Sequence, residues 1–188
     1  MKKLNFPFKR EEIRALKVGD MVLISGKMFT GRDAIHKYLH DGNMPPVSLQ
    51  DQIIYHCGPV VLEEKNNYRV IAAGPTTSIR EEPYQWEVMR DHGILGVIGK
   101  GGMGPKTLEG CAKYGCVYFH AIGGAAQVLA EKIKSVDNVY LKEKFGSPEA
   151  IWELTVEEFP VVVTMDSHGN SLHEKVQAKS EANLKELL

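Results

Sequence analysis

Short apolar runs alternate with polar, glycine-rich breaks along the chain, and the period of each run predicts its element. Residues 21–25 read as a strand, after a turn at 16–20, and 26–31 as a loop. Thr30 and Asp33 stand in the T-x-x-D relation of a helix start, which predicts a helix over 31–40 that stops at Asp41, Gly42 and Asn43. Residues 53–57 read as a strand. Residues 60–62 and 68–73 flank Asn66-Asn67 and read as a hairpin, whose second strand is broken by Gly74-Pro75. A short helix is predicted near 78–91, interrupted by Pro83. Residues 93–98 and 116–121 are buried-strand candidates, with a helix over 106–114 between them. Ile122, Ala125, Ala126, Leu129 and Ile133 share one helical face, which predicts an amphipathic helix over 123–134. Residues 149–158 partly alternate, and 159–165 form a final strand. The first 17 residues read as a polar N-terminal extension, and 171–188 as a polar tail that frays or forms a short helix.

Strands and helices mix throughout, so the fold class is α/β, with a mixed sheet and helices rather than a clean doubly wound arrangement. With 188 residues and no internal repeat or low-complexity segment, the chain is expected to form one domain large enough to fold without a metal or disulfide staple. The 23 basic and 24 acidic residues nearly cancel, which excludes a binder of nucleic acid by bulk charge. The three cysteines, Cys57, Cys111 and Cys116, are an odd number and argue against a secreted disulfide framework, so a reducing, cytoplasmic setting is expected. The basic start is cut by Pro7 before an apolar core develops, so no leader is expected. The longest uncharged stretch, 114–130, has 17 residues including His120, Gln127 and three glycines, which falls short of a membrane span.

Three loops share one design, in which small or hydroxyl residues precede a helix and carry a cation. They are Thr30-Gly31-Arg32-Asp33, Gly74-Pro75-Thr76-Thr77-Ser78-Ile79-Arg80 and Ile98-Gly99-Lys100-Gly101-Gly102-Met103. Helix N-termini favour anions, arginine grips a carboxylate with two hydrogen bonds, and lysine adds a point charge. Such elements suit a small dianion such as a dicarboxylate, if they converge; a single loop of this kind is an ordinary capped turn.

Other motifs fail their own tests. Gly99-Lys100-Gly101-Gly102-Met103-Gly104 matches G-x-G-x-x-G, but the region about twenty residues on, Phe119–Ala125, holds no acid for a ribose. It also lacks the hydroxyl that must follow the lysine of a phosphate loop. His36 and His40 stand four apart without the glutamate of H-E-x-x-H, and read as surface or supporting histidines. Three scattered cysteines are a poor cradle for an iron–sulfur cluster and read as small buried residues. Trp86 and Trp152 read as core.

The segments 30–36, 74–80, 96–103 and 120–126 together resemble the β subunit of class I fumarate hydratase and L-tartrate dehydratase, equivalent to the C-terminal domain of single-chain class I fumarases, over roughly residues 10–170. The resemblance implies a swivelling β/β/α-type single domain. It implies reversible hydration of fumarate to L-malate, or alternatively dehydration of L-tartrate. It implies a [4Fe-4S] cluster held by the cysteines of an α-subunit partner rather than by this chain, and a hetero-oligomer, αβ or α2β2, with no nucleic-acid or membrane partner. Residue by residue, it implies that Arg32, Arg80 and Lys100 bind substrate carboxylates and that Thr76 and Thr77 lie at the reacting carbons. Thr76 and Lys100 would be the catalytic pair, with Thr76 as the candidate base, a role that needs strong activation of a hydroxyl. A partner also implies an exposed apolar patch on this chain. The reading from another class is a stand-alone anion- or nucleotide-binding module.

Overall fold

A computed structural model describes residues 1–65 and 67–187. Five parallel strands lie side by side: β1 (Lys2–Asn5), β2 (Met21–Thr30), β3 (Ile53–Tyr55), β6 (Gly96–Gly99) and β7 (Val117–His120). The long strand β9 (Ile151–Met165) runs antiparallel to both β2 and β7, so β2, β3, β6, β7 and β9 close into a ring. Strand β8 (Ile133–Tyr140) pairs with the first half of β9. Strands β4 (Val60–Glu64) and β5 (Asn67–Ala72) form a separate hairpin. The hairpin agrees with the sequence pattern, although Asn66, half of the predicted turn, lies outside the described residues.

Alternation along the strands divides the apolar residues into two cores. One gathers Ile24, Met28, Tyr55, Ile98, Phe119, Trp152 and Phe159. The other lies under helices α2 (Asp33–His40), α3 (Gln85–His92) and α4 (Pro105–Tyr114), where Ile35, Leu39, Val88 and Cys111 meet Ile54, Val97 and Tyr118 from the sheet. Helix α4 has Pro105 in its first turn and Gly115 in the left-handed conformation after its last, the usual punctuation of a helix.

Several elements differ from the sequence expectation. The first 17 residues are part of the domain, because β1 pairs with β2 and Leu4, Phe8, Ile13 and Leu16 are all buried. Their spacing follows no single period, since they come from a strand, a connection and the short helix α1 (Arg10–Arg14). Strand β2 continues to Thr30 through a bulge at Gly26, where a loop is predicted. The helix expected over 123–134 is α5 (Ala126–Glu131), after which β8 begins. The 78–91 helix is split into a 3-10 turn, Ser78–Glu81, and α3, with Pro83 in the gap. The last strand runs unbroken from 151. Helix α6 (Lys142–Phe145) is one turn long, and the polar tail is the helix α7 (Leu172–Leu187), none of whose residues is buried.

Ile13 is fully buried on a five-residue helix that the polar pattern assigns to an extension. Ile13→Ala is expected to lower stability by about 2–5 kcal/mol, the range for a large-to-small core change, read as a shift in urea midpoint.

Candidate functional site

Strands β2, β3, β6 and β7 run in the same direction, so their C-terminal ends open onto one rim, the end at which parallel α/β sheets and barrels hold ligands. Backbone bonds tie the rim together. Gly31 N–H donates to the Tyr55 carbonyl at 3.0 Å, His56 N–H to Ile98 at 2.8 Å, and Ala121 N–H to Gly99 at 2.8 Å.

The hairpin β4–β5 leaves and re-enters this rim between His56 and Thr76. Its return is fixed by the Tyr55 hydroxyl, which donates to the Ala73 carbonyl at 2.5 Å. Thr76 then donates to the His56 carbonyl twice, from N–H at 2.7 Å and from Oγ1 at 3.0 Å. Lys100 N–H donates to the Thr76 carbonyl at 3.3 Å, and Ser78 N–H to the Lys100 carbonyl at 3.0 Å. Thr77 and Lys100 thereby form a short parallel bridge that extends β6. The two loops predicted from sequence as separate units are one paired structure.

Arg32 lies across the rim, over Gly58. A Cβ at Gly58 would stand 2.6 Å from an Arg32 terminal nitrogen and 2.6 Å from the Pro148 carbonyl, and it is the fixed backbone oxygen that requires glycine there. Arg32 Nε is 3.2 Å from Glu149 Oε1, and Arg80 Nε is 3.5 Å from Asp33 Oδ2. Lys100 has no carboxylate within ion-pair distance among the described residues, and its stem passes Gly123 of the segment that follows β7. All five residues singled out from the sequence, Arg32, Thr76, Thr77, Arg80 and Lys100, sit on this one rim.

The helix N-termini do not play the part the sequence suggests. The Glu149 carboxylate accepts the Ala34 N–H of α2 at 3.1 Å. Glu82 closes the start of α4, accepting from Gly104 N–H at 2.8 Å, Lys106 N–H at 2.9 Å, Thr107 N–H at 3.3 Å and the Thr107 hydroxyl at 2.6 Å. The chain therefore supplies its own anions at both ends, and a ligand would meet side-chain cations instead. Thr30, read as a helix cap, binds β9: its hydroxyl donates to the Ala150 carbonyl at 3.1 Å and accepts from Trp152 N–H at 2.9 Å.

Beneath the rim lies a buried polar network that no spacing in the sequence marks. His56 Nε2 meets Gln85 Oε1 at 2.9 Å, and His56 Nδ1 meets Ser78 Oγ at 2.8 Å. The Tyr118 hydroxyl donates to the same Ser78 oxygen at 3.0 Å. The amide oxygen of Gln85 can only accept, so the network assigns the proton to Nε2 and makes Nδ1 the acceptor of the Ser78 hydroxyl. Burial holds His56 neutral, far below the ordinary histidine range, and His36, 5.0 Å away ring to ring, pushes the same way. Gly99 is where these groups crowd the sheet, since a Cβ there would lie 1.7 Å from Ser78 Oγ. The available signal was a histidine inside an apolar strand, which needs partners if buried.

Among the described residues, no group of three or more His, Cys, Asp or Glu side chains is arranged to hold a metal ion. The cysteines are free, buried and divided between the two cores. Burial pushes the Cys57 and Cys116 thiols up to about 12 and Cys111 upward as well, so they are protonated at neutral pH. These residues do not fit an iron–sulfur cluster, which needs a convergent set of thiolates.

A family model described as Fumarase C-terminus matches residues 2–176. A protein of Geobacillus stearothermophilus, provisionally named a class I fumarate hydratase, is 60% identical over 178 residues, which cover 94% of this chain and 34% of that protein. A protein of Methanocaldococcus jannaschii, provisionally named an L(+)-tartrate dehydratase subunit beta, is 41% identical over 184 residues, covering 95% and 94%. The L(+)-tartrate dehydratase subunit beta of Escherichia coli K12 is 37% identical over 175 residues, covering 92% and 87%. This chain thus spans about a third of the first relative and most of the other two.

Glu82→Ala would strip the start of α4 of its acceptor. The expected cost is about 1–3 kcal/mol in urea unfolding, with Glu82→Gln recovering part of it.

Proposed function

Since this chain belongs to the fumarase C-terminus family, we propose that it is the β subunit of a hydro-lyase that hydrates fumarate reversibly to L-malate. The observation that supports the reading is the placement of two arginines, a lysine and two threonines in the loops at one end of neighbouring parallel strands, in a chain whose net charge is near zero. L-tartrate is the second substrate reading, favoured by the nearly full-length match to β subunits of that name.

In this reading Arg32, Arg80 and Lys100 hold the two carboxylates. Lys100 supplies charge that no carboxylate among the described residues offsets, while Arg32 and Arg80 are poised by Glu149 and Asp33. These cations also stabilise the negative charge that builds as the C–H bond breaks. Thr76 and Thr77 lie between Lys100 and the hairpin, facing the reacting carbons. The Thr76 hydroxyl donates its hydrogen bond to the His56 carbonyl, which leaves its oxygen free to accept one, and acting as the base requires strong activation of that hydroxyl by its surroundings.

The iron–sulfur cluster of this enzyme class is assigned to an α-subunit partner. Exposed apolar side chains support a covering partner: Ile79, between Ser78 and Arg80, is 49% exposed, and Ile122, between Ala121 and Gly123, is 63% exposed. The complex is an αβ or α2β2 hetero-oligomer working in the cytoplasm.

The chain alone is expected to turn over neither acid, and co-purification with an iron-loaded α subunit is expected to restore activity; comparing fumarate with L-tartrate then fixes the substrate. Tight ligand binding by the isolated, iron-free chain would instead favour the stand-alone binding module. In the reconstituted complex, Arg32→Ala and Arg80→Ala are each expected to raise KM and lower kcat/KM by on the order of 2–4 kcal/mol, and near-normal kinetics would reject their assignment.

A further inference from the structure

Behind Arg80 lies a carboxyl pair that the proposed chemistry does not use. Glu81 is fully buried, yet neither of its oxygens has a donor from another residue, and Asp33 Oδ1 is buried without one too. The two side chains are within hydrogen-bond reach of each other. One proton lying between the two carboxyls, with Glu81 donating to Asp33, accounts for one Glu81 oxygen and for Asp33 Oδ1, and the backbone N–H of Glu81 itself faces its carboxyl. The other oxygen of Asp33 faces the half-exposed Arg80 at 3.5 Å, so a chain of contacts runs from the buried acid to the rim.

We propose that Asp33 and Glu81 share a single proton, and that this pair is a positioning device that sets how far Arg80 reaches toward a substrate carboxylate. With the proton in place, one negative charge sits behind Arg80, a loose partner that leaves the guanidinium facing the rim. Loss of the proton puts a second negative charge there, which draws Arg80 inward and repels an incoming dianion. Burial first, then the neighbouring Asp33, raise Glu81 from its ordinary 4.5 to about 8, while its own backbone N–H and then Arg80 oppose the shift. The other titratable groups around the pair are His36 on α2, kept neutral by burial, Arg32 at the start of α2, and Tyr118 on β7, whose hydroxyl stays protonated. Neither His36 nor Tyr118 is expected to exchange a proton with solvent between pH 7 and 9, so an alkaline transition of this cluster belongs to the carboxyl pair.

This inference rests on the dicarboxylate reading of the rim, and two measurements on the reconstituted complex separate them. The first is the protonated-carboxyl infrared band, compared between wild type and Glu81→Gln across pH 6 to 10. A band that Glu81→Gln removes, and that titrates near 8, is expected. Its absence at pH 7 overturns the shared proton. The second is the pH dependence of KM and kcat. KM for the dicarboxylate is expected to rise roughly threefold or more from pH 7 to 9 with kcat steady, since only binding is affected. Glu81→Gln, which can still donate to Asp33 but cannot ionise, should flatten that rise. Asp33→Asn removes the like charge and should move it to lower pH. A wild-type KM rise retained in Glu81→Gln overturns the positioning role. A complex that turns over neither acid overturns the dicarboxylate reading and with it the link to Arg80, while the infrared titration still decides the shared proton.

Discussion

The peptide of His56 is the joint on which the rim depends. Its N–H extends the pairing of β3 with β6, and its carbonyl takes both donors of Thr76, bringing the chain back after the hairpin. Its ring reaches Ser78 and Gln85 below. One residue therefore fixes the height of the threonine loop, its pairing with Lys100, and the direction in which Ser78 leads on to Arg80. A neutral, doubly bonded imidazole suits the task, because a charged one at this depth would carry a large desolvation cost. The price of the arrangement is a sheet residue without a side chain, Gly99, at the one place where Ser78 must press against the strand.

Around that joint, charge is organised in matched pairs. Glu82 and Glu149 satisfy helix ends that might otherwise have attracted a ligand, and Glu149 and Asp33 steady two arginines. Lys100, which has no carboxylate within ion-pair distance among the described residues, sits just beyond the end of β6 with its stem against Gly123. In the function proposed above, anion selectivity comes from side chains held on a rim rather than from helix dipoles, and the spacing of the cations is what would select a two-headed acid.

The sequence carries much of this, but unevenly. The hairpin, the proline-started α4 and the strands β3 and β7 follow from period and punctuation, because each is short, apolar on schedule and bounded by Gly or Pro. Strand β8 was invisible: Ser135, Asp137 and Asn138 are exposed, and shifts in its pairing with β9 break the alternation of Ile133, Val136 and Val139. The unity of β9 was hidden by Glu157 and Glu158, where the chain passes through a positive φ without leaving the sheet. The rim cations stand out because Gly, Thr and Arg cluster in loops. Their carboxylate partners do not, since Glu82 and Glu149 lie 22 and 115 residues from the backbone groups they serve. Glu81 reads as one more charge on a short helix, and only tertiary burial makes it an acid that keeps its proton.

Strand β9 also constrains how the molecule can come into being. Its fifteen residues are the last sheet element of the chain, yet they pair with β2, β7 and β8 and are what turns a curved ribbon into a ring. During synthesis, β2 must therefore wait with one edge unsatisfied until more than a hundred further residues have emerged. Long-range pairing of this kind is slow and leaves an open edge available to other chains. On the ribosome, the edge of β2 that β9 later covers is thus the one exposed longest to premature partnering.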